Sequence, residues 1–164
     1  MNTTHKLHIF DMDGTILDSM PMWSTIASDY LDSYDIPHDD DVNKLIEAYT
    51  LENAAKYFIE LGLDKTIDDI IKDIYDFSFN KYKNEIPAKP DMAELLKKLH
   101  ETGETIILLS ASPVQCAVAA FKRLNILEYF DKLFSCQDFE TDKTVPETFI
   151  NVAASLGFKP EDAI

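Results

Sequence analysis

Leu7-His8-Ile9-Phe10-Asp11-Met12-Asp13-Gly14-Thr15 is the stretch that decides how this chain reads. Four largely apolar residues predict a short strand, which runs without a linker into two aspartates and a glycine. Residues i and i+2 of an extended segment face the same side. The carboxylates of Asp11 and Asp13 can therefore converge on one cation or one reacting group. A loop in that position lies at the carboxyl edge of its sheet, where open α/β sheets bind ligands. Aspartate and glycine also build ordinary turns, so the loop alone leaves turn and site equally open. The glycine content weighs on the side of a site. Of only four glycines, Gly62, Gly103 and Gly157 each follow the last residue of a predicted helix, where a left-handed residue is wanted. Gly14 follows a strand instead, and frees the backbone to turn sharply or approach a ligand.

Working outward, Trp23, Ile26, Ala27, Tyr30, Leu31 and Tyr34 recur at the spacing of one helix face, which Pro37 and Asp39-Asp40-Asp41 interrupt. Val42, Leu45, Ile46 and Tyr49 predict a second helix, and Leu51, Ala54, Ala55, Phe58 and Leu61 a third. A fourth carries Ile67, Ile70, Ile71, Ile74, Phe77 and Ser78, with Thr66 as its cap and Asp69 three residues on. Beyond Pro87 and Pro90 the pattern changes. Asp91 is expected to cap a helix buried through Met92, Leu95, Leu96 and Leu99. Thr105 to Leu109 is a continuous apolar run, as in a parallel strand covered on both faces. Ser112, Pro113 and Gln115 read as cap, first and third positions of a helix bearing Val114, Val118 and Phe121. Lys132 to Cys136 predicts another strand, and Phe149, Ile150, Ala153 and Leu156 a final helix after Pro146. Strand–helix alternation thus brackets an all-helical block: an α/β core with helices inserted after its first strand.

The 164 residues carry 46% hydrophobic and 11% aromatic residues, enough for a packed core. The formal net charge of −15 repels phosphate backbones and anionic lipid, so neither nucleic acid nor a membrane surface is an expected partner. It suits divalent cations. No apolar run approaches the ~20 residues of a spanning helix, and the N-terminal residues have no signal-peptide pattern. Cys116 and Cys136 lack the spacing of a metal knuckle or a disulfide framework, and read as buried thiols in a reducing cytoplasm. His5, His8, His38 and His100 have no metal-ligand spacing, and the acidic clusters lack the glycine and ligand order of a calcium loop.

Two more positions join the aspartates. Ser110 ends the second strand just before a helix N-terminus, where a hydroxyl and backbone N–H groups form an anion site. Lys143 lies in the loop Asp-Lys-Thr-Val-Pro-Glu before the last helix. Taken singly, these are a helix cap and a surface lysine. Together with Asp11 and Asp13 they supply a nucleophile or metal ligand, a second carboxylate, a phosphate-binding hydroxyl and a balancing cation.

In this arrangement Phe-Asp-Met-Asp-Gly-Thr-Ile-Leu-Asp-Ser resembles the first motif of the haloacid dehalogenase superfamily of phosphotransferases. Ser110 after Ile-Ile-Leu-Leu resembles the second motif. Lys143 in Lys-Thr-Val-Pro-Glu-Thr-Phe resembles the third, as found in the β-phosphoglucomutase-like branch with a helical cap. The resemblance implies a Rossmann-like parallel-sheet core of residues 1–17 and 87–164 and a helical cap of residues 18–86. It also implies a Mg²⁺-dependent phosphatase acting on a small phosphate monoester, with cap closure excluding bulk water. Asp11 would accept the phosphoryl group, and Asp13 would serve as acid and then base. Mg²⁺ would bind the Asp11 carboxylate and the Asp13 carbonyl, while Ser110, Ala111, Gly14 and Lys143 would hold phosphoryl oxygens.

Two departures from the family pattern add expectations. The family's fourth motif, an acidic pair on a strand after Leu-Gly-x-x-Pro-Glu-Asp, would begin where Leu156 to Ile164 ends. The chain therefore reads as a shortened form, with Mg²⁺ binding and turnover impaired if the protein stops there. Sugar-phosphate mutases of this branch carry a histidine near Trp23 and basic residues in the cap; Asp-Ser-Met-Pro-Met-Trp has no histidine, and Leu45 to Asn53 has no Arg or Lys. Hydrolysis is therefore favoured over the alternative of a hexose-phosphate mutase. Trp23 is expected in the core of the first cap helix. A non-catalytic phosphoryl-accepting or partner-binding module is the rival from another class.

Overall fold

A computed structural model describes residues 5–139 and 143–164. Residues 1–4 and 140–142 lie outside the described residues, and with them Asp142 of the loop expected ahead of Lys143. The chain divides into two compact units, residues 1–18 with 82–164, and residues 19–81.

The first unit is built on a parallel sheet. Strands β1 (Leu7–Phe10), β2 (Thr105–Ser110) and β3 (Lys132–Ser135) lie in the order β1-β2-β3. Phe10 pairs with Leu108 and Ser110 with Ser135, so the strands end close to one another at their carboxyl edge. On the outer side of β1, Ile164 N–H donates to Leu7 O at 2.8 Å and Ile9 N–H to Ile164 O at 2.9 Å. Central β2 is covered on both faces, as its unbroken apolar run predicts: Ile106 to Leu109 are all buried. Ile107 and Leu109 pack with Leu7, Phe134, Val152 and Ala153. Each such side chain stabilises the fold by ~1.5–3 kcal/mol relative to exposure.

Helices α6 (Met92–Glu101), α7 (Val114–Arg123) and α8 (Pro146–Ser155) belong to the same unit. They bury a narrower set of residues than the sequence predicts. Leu96 is buried while Leu95 is exposed, and Thr148, Val152 and Ala153 are buried while Phe149 and Ile150 are exposed. Asp91 sits at the cap position of α6 with a left-handed backbone, φ 66°, and its side chain makes no capping bond. A cap needs an extended backbone to aim its oxygen at the first turn, and the left-handed conformation removes that aim. Residues 16–18 meet 87–89 as a short antiparallel pair: Asp18 N–H donates to Pro87 O and Lys89 N–H to Ile16 O. Lys89 Nζ also lies 3.1 Å from Asp18 Oδ1.

The second unit is helical: α1 (Met20–Trp23), α2 (Ile26–Asp32), α3 (Val42–Ile46), α4 (Leu51–Glu60) and most of α5 (Ile67–Asn84). Its core joins Ala27, Tyr30, Leu31, Val42, Ala55, Phe58, Leu63, Ile70 and Ile74. The single long helix expected from Trp23 to Tyr34 is two short ones. Ser24 Oγ and Thr25 Oγ1 donate back to Pro21 O and Met22 O, and such local bonds break a helix at no cost to the apolar spacing. Trp23 is accordingly half-buried rather than a core residue, and Tyr34 is exposed. Asn43 instead supplies the start of α2 from a distance, its Oδ1 accepting from Ala27 N–H and Ser28 N–H at 3.1 Å each. At α5 the expected cap is present: Thr66 Oγ1 accepts from Asp69 N–H at 3.2 Å and donates to Asp69 Oδ2 at 2.6 Å. No helix among the described residues is long and apolar enough to cross a membrane.

Candidate active site

The parallel register brings the loop after β1 and the end of β2 to one edge, and the loop after β3 reaches the same place. Lys143 Nζ donates to Asp11 Oδ1 across 132 residues of sequence. Both side chains are partly exposed. Behind Asp11 the chain turns tightly: Ile16 and Leu17 N–H both donate to Met12 O, and Met12 is fully buried. Gly14 has φ 74°, the left-handed conformation that its residue type permits. Its N–H donates to Leu17 O at 2.9 Å, so the amide helps to close the turn. Its conformation shapes the turn that follows Asp13.

Asp13 is held from two directions. Tyr82 Oη donates to Oδ1 at 2.5 Å, and Ser112 Oγ donates to Oδ2 at 2.7 Å. Neither partner was predicted from the sequence. Ser112 read as the cap of α7, but Pro113 takes that position with an extended backbone, and no side chain caps the helix. The serine is drawn away by a carboxylate 99 residues distant, to which no local pattern points. Tyr82 falls outside the apolar stripe that predicts α5, although its ring is fully buried. A buried tyrosine needs a partner for its hydroxyl, which is the one signal that could have drawn attention to it.

Ser110 is buried at the end of β2, and its Oγ accepts Ser112 N–H at 3.0 Å. One of the backbone donors expected to bind an anion is thereby spent within the loop. A hydroxyl that accepts a backbone N–H keeps its own proton for another oxygen. Ala111 is exposed beside it. Cys116, in the first turns of α7, is a free buried thiol whose pKa burial pushes up to about 11, with the negative charge of Asp13 adding to the effect. Arg123, at the far end of α7, donates from Nη2 to Tyr82 O at 3.2 Å and also to Ile86 O. It thus fastens the end of α5 that carries Tyr82.

Comparison with known proteins gives the same answer as the geometry. Residues 8–164 match the family model described as haloacid dehalogenase-like hydrolase. The chain is 22% identical over 157 residues to the phosphorylated carbohydrates phosphatase of Thermotoga maritima, covering 95% of this chain and 73% of that protein. It is 23% identical over 166 residues to hexitol phosphatase B of Escherichia coli K12, covering 93% and 70%. Among solved structures, a Thermotoga maritima protein assigned as a β-phosphoglucomutase superposes with a TM-score of 0.83 at 21% identity, over 97% of this chain and 74% of that one. With its strand-end aspartates, the serine ending β2 and the lysine after β3, the chain belongs to the haloacid dehalogenase-like hydrolases.

Proposed function

We propose that this protein is a Mg²⁺-dependent phosphatase that hydrolyses a small phosphate monoester through a phosphoryl group carried on Asp11. The observation that carries the reading is the pairing of Asp11 with Lys143 at the sheet edge, beside a second carboxylate fixed by hydroxyl donors. The two units take the roles of phosphotransfer core and cap.

The donors at the edge suit a hard divalent cation. Mg²⁺ is commonly held by one or two protein carboxylates and completed by water and substrate oxygens. The Asp11 carboxylate and the Asp13 carbonyl would be its ligands, as the family resemblance implies, while the Asp13 carboxylate accepts two hydroxyls. When bound, the cation would neutralise charge on the transferring phosphoryl group.

The side chains carry the rest. Lys143 fixes the rotation of the Asp11 carboxylate through Oδ1 and balances negative charge next to the phosphoryl oxygens. Asp11 attacks phosphorus, the bond to the leaving oxygen breaks, and that oxygen takes a proton from Asp13. Water then attacks the phosphoryl group on Asp11, gives a proton to Asp13, and inorganic phosphate leaves. Ser110 donates its hydroxyl proton to a phosphoryl oxygen throughout. The net charge of −15 makes such local donors necessary, because the protein's overall field opposes an anionic substrate.

Phosphate release from p-nitrophenyl phosphate tests the reading. The wild-type protein should turn over with Mg²⁺ and stop on chelation. Asp11→Asn should lose activity by about 10³-fold or more, as expected when a nucleophile is removed. Equal rates for the two proteins would contradict it.

A further inference from the structure

Tyr82 is the residue at this edge that its sequence pattern conceals. It lies near the end of α5, where the second unit gives way to the first. Three independent contacts fix it. Its ring is fully buried, its carbonyl accepts from Arg123 Nη2 at 3.2 Å, and its hydroxyl donates to Asp13 Oδ1 at 2.5 Å. Ser112 holds the other oxygen of the same carboxylate at 2.7 Å. An aspartate on a turn can rotate about two side-chain bonds. Tethered at both oxygens by donors from separate elements, it keeps one orientation.

We propose that Tyr82 is a positioning residue for Asp13, with Ser112 as its counterpart, and that the two hydroxyls aim the carboxyl group at the leaving oxygen. The proposal rests on the phosphatase reading given above. Neither hydroxyl exchanges a proton with substrate; each acts only by limiting where Asp13 can point. General acid catalysis is worth roughly 10²–10⁴-fold and depends on hydrogen-bond reach, so a loosened Asp13 forfeits part of that factor.

The demand for a proton differs among substrates, which separates positioning from general structural damage. p-Nitrophenolate leaves readily as an anion. Unsubstituted phenolate is more basic and benefits far more from protonation as it departs. The two esters differ little in size and carry the same phosphate. Because kcat/KM reports only the steps through departure of the first product, the later hydrolysis of the phosphorylated enzyme does not obscure the comparison.

The experiment measures kcat/KM for phenyl phosphate and p-nitrophenyl phosphate with wild type, Tyr82→Phe, Ser112→Ala and Ser112→Thr. Phenylalanine keeps the buried ring, and threonine keeps the hydroxyl. The expected result is a loss of about tenfold or more on phenyl phosphate and less than about threefold on p-nitrophenyl phosphate for Tyr82→Phe and Ser112→Ala. Ser112→Thr should restore the wild-type ratio. Equal losses on both esters, or no loss on either, would overturn the proposal while leaving the phosphatase reading intact. Should Tyr82→Phe not fold, the Ser112 pair decides by the same ratio. A wild-type protein inert on both esters would overturn the phosphatase reading, and this proposal with it.

Discussion

Asp13 and Cys116 illustrate how a single charged group imprints itself on its surroundings. The thiol of Cys116 is raised to about 11 by burial first and by the Asp13 charge second. A raised thiol pKa means that the neutral form persists through ordinary pH. At pH 8 only roughly 0.1% would be the reactive thiolate. Cys116 in the native protein should therefore resist iodoacetamide at pH 8 and label only after denaturation. Mass spectrometry of the Cys116 peptide provides the check, and native labelling at the rate of a free cysteine would refute this environment. At the same scale, the reach of the sequence was uneven. Asp11, Ser110 and Lys143 could be found because their chemistry coincides with a local pattern, a strand end or a helix start. Ser112 and Tyr82 could not, since each takes its meaning from an acceptor in the loop after β1, far away in the chain.

At the scale of elements, the helices of residues 19–81 are joined by a polar knot as well as an apolar core. Asp73 on α5 accepts from Tyr30 and Tyr34 hydroxyls at 3.1 Å each, and from Lys65 Nζ. The ammonium of Lys65 is the main cause that holds the Asp73 carboxyl below its usual value of 3.8, aided by the two tyrosine hydroxyls. A carboxylate whose pKa is lowered on folding contributes stability that is complete above the unfolded value and fades as pH falls through the folded one. The contribution of Asp73 should thus be intact above about pH 4–5 and fade as pH falls further. Asp73→Asn should lower the melting temperature at pH 7 and narrow the gap to wild type at pH 3. A gap that widens on acidification would show that the pairing is not the source. The same elements show why helix existence was easier to read than helix limits. Apolar spacing continues through Ser24 and Thr25, where side-chain hydroxyls divert the backbone, and through Phe149 and Ile150, which the fold leaves exposed.

Across the whole molecule, one principle places the chemistry. Three parallel strands end together, and each delivers a polar group of different kind to the shared edge: aspartates after β1, a serine at the end of β2, a lysine after β3. The continuous apolar run of β2 made that strand and the parallel sense of its sheet legible, because only a strand covered on both faces needs one. Substrate choice was not legible, since it depends on side chains whose roles no local pattern marks. The central claim is that Asp11 carries the phosphoryl group, and trapping it tests that claim most directly. Asp13→Asn lacks the base that activates water, yet p-nitrophenolate departs from it with little need of an acid. Mixed with p-nitrophenyl phosphate and Mg²⁺ and quenched in acid, this variant should release a stoichiometric burst of p-nitrophenol. It should also retain phosphoryl mass on the peptide containing Asp11. A wild-type protein that turns over while the variant shows no burst, or carries the phosphoryl group on any other residue, would contradict the account.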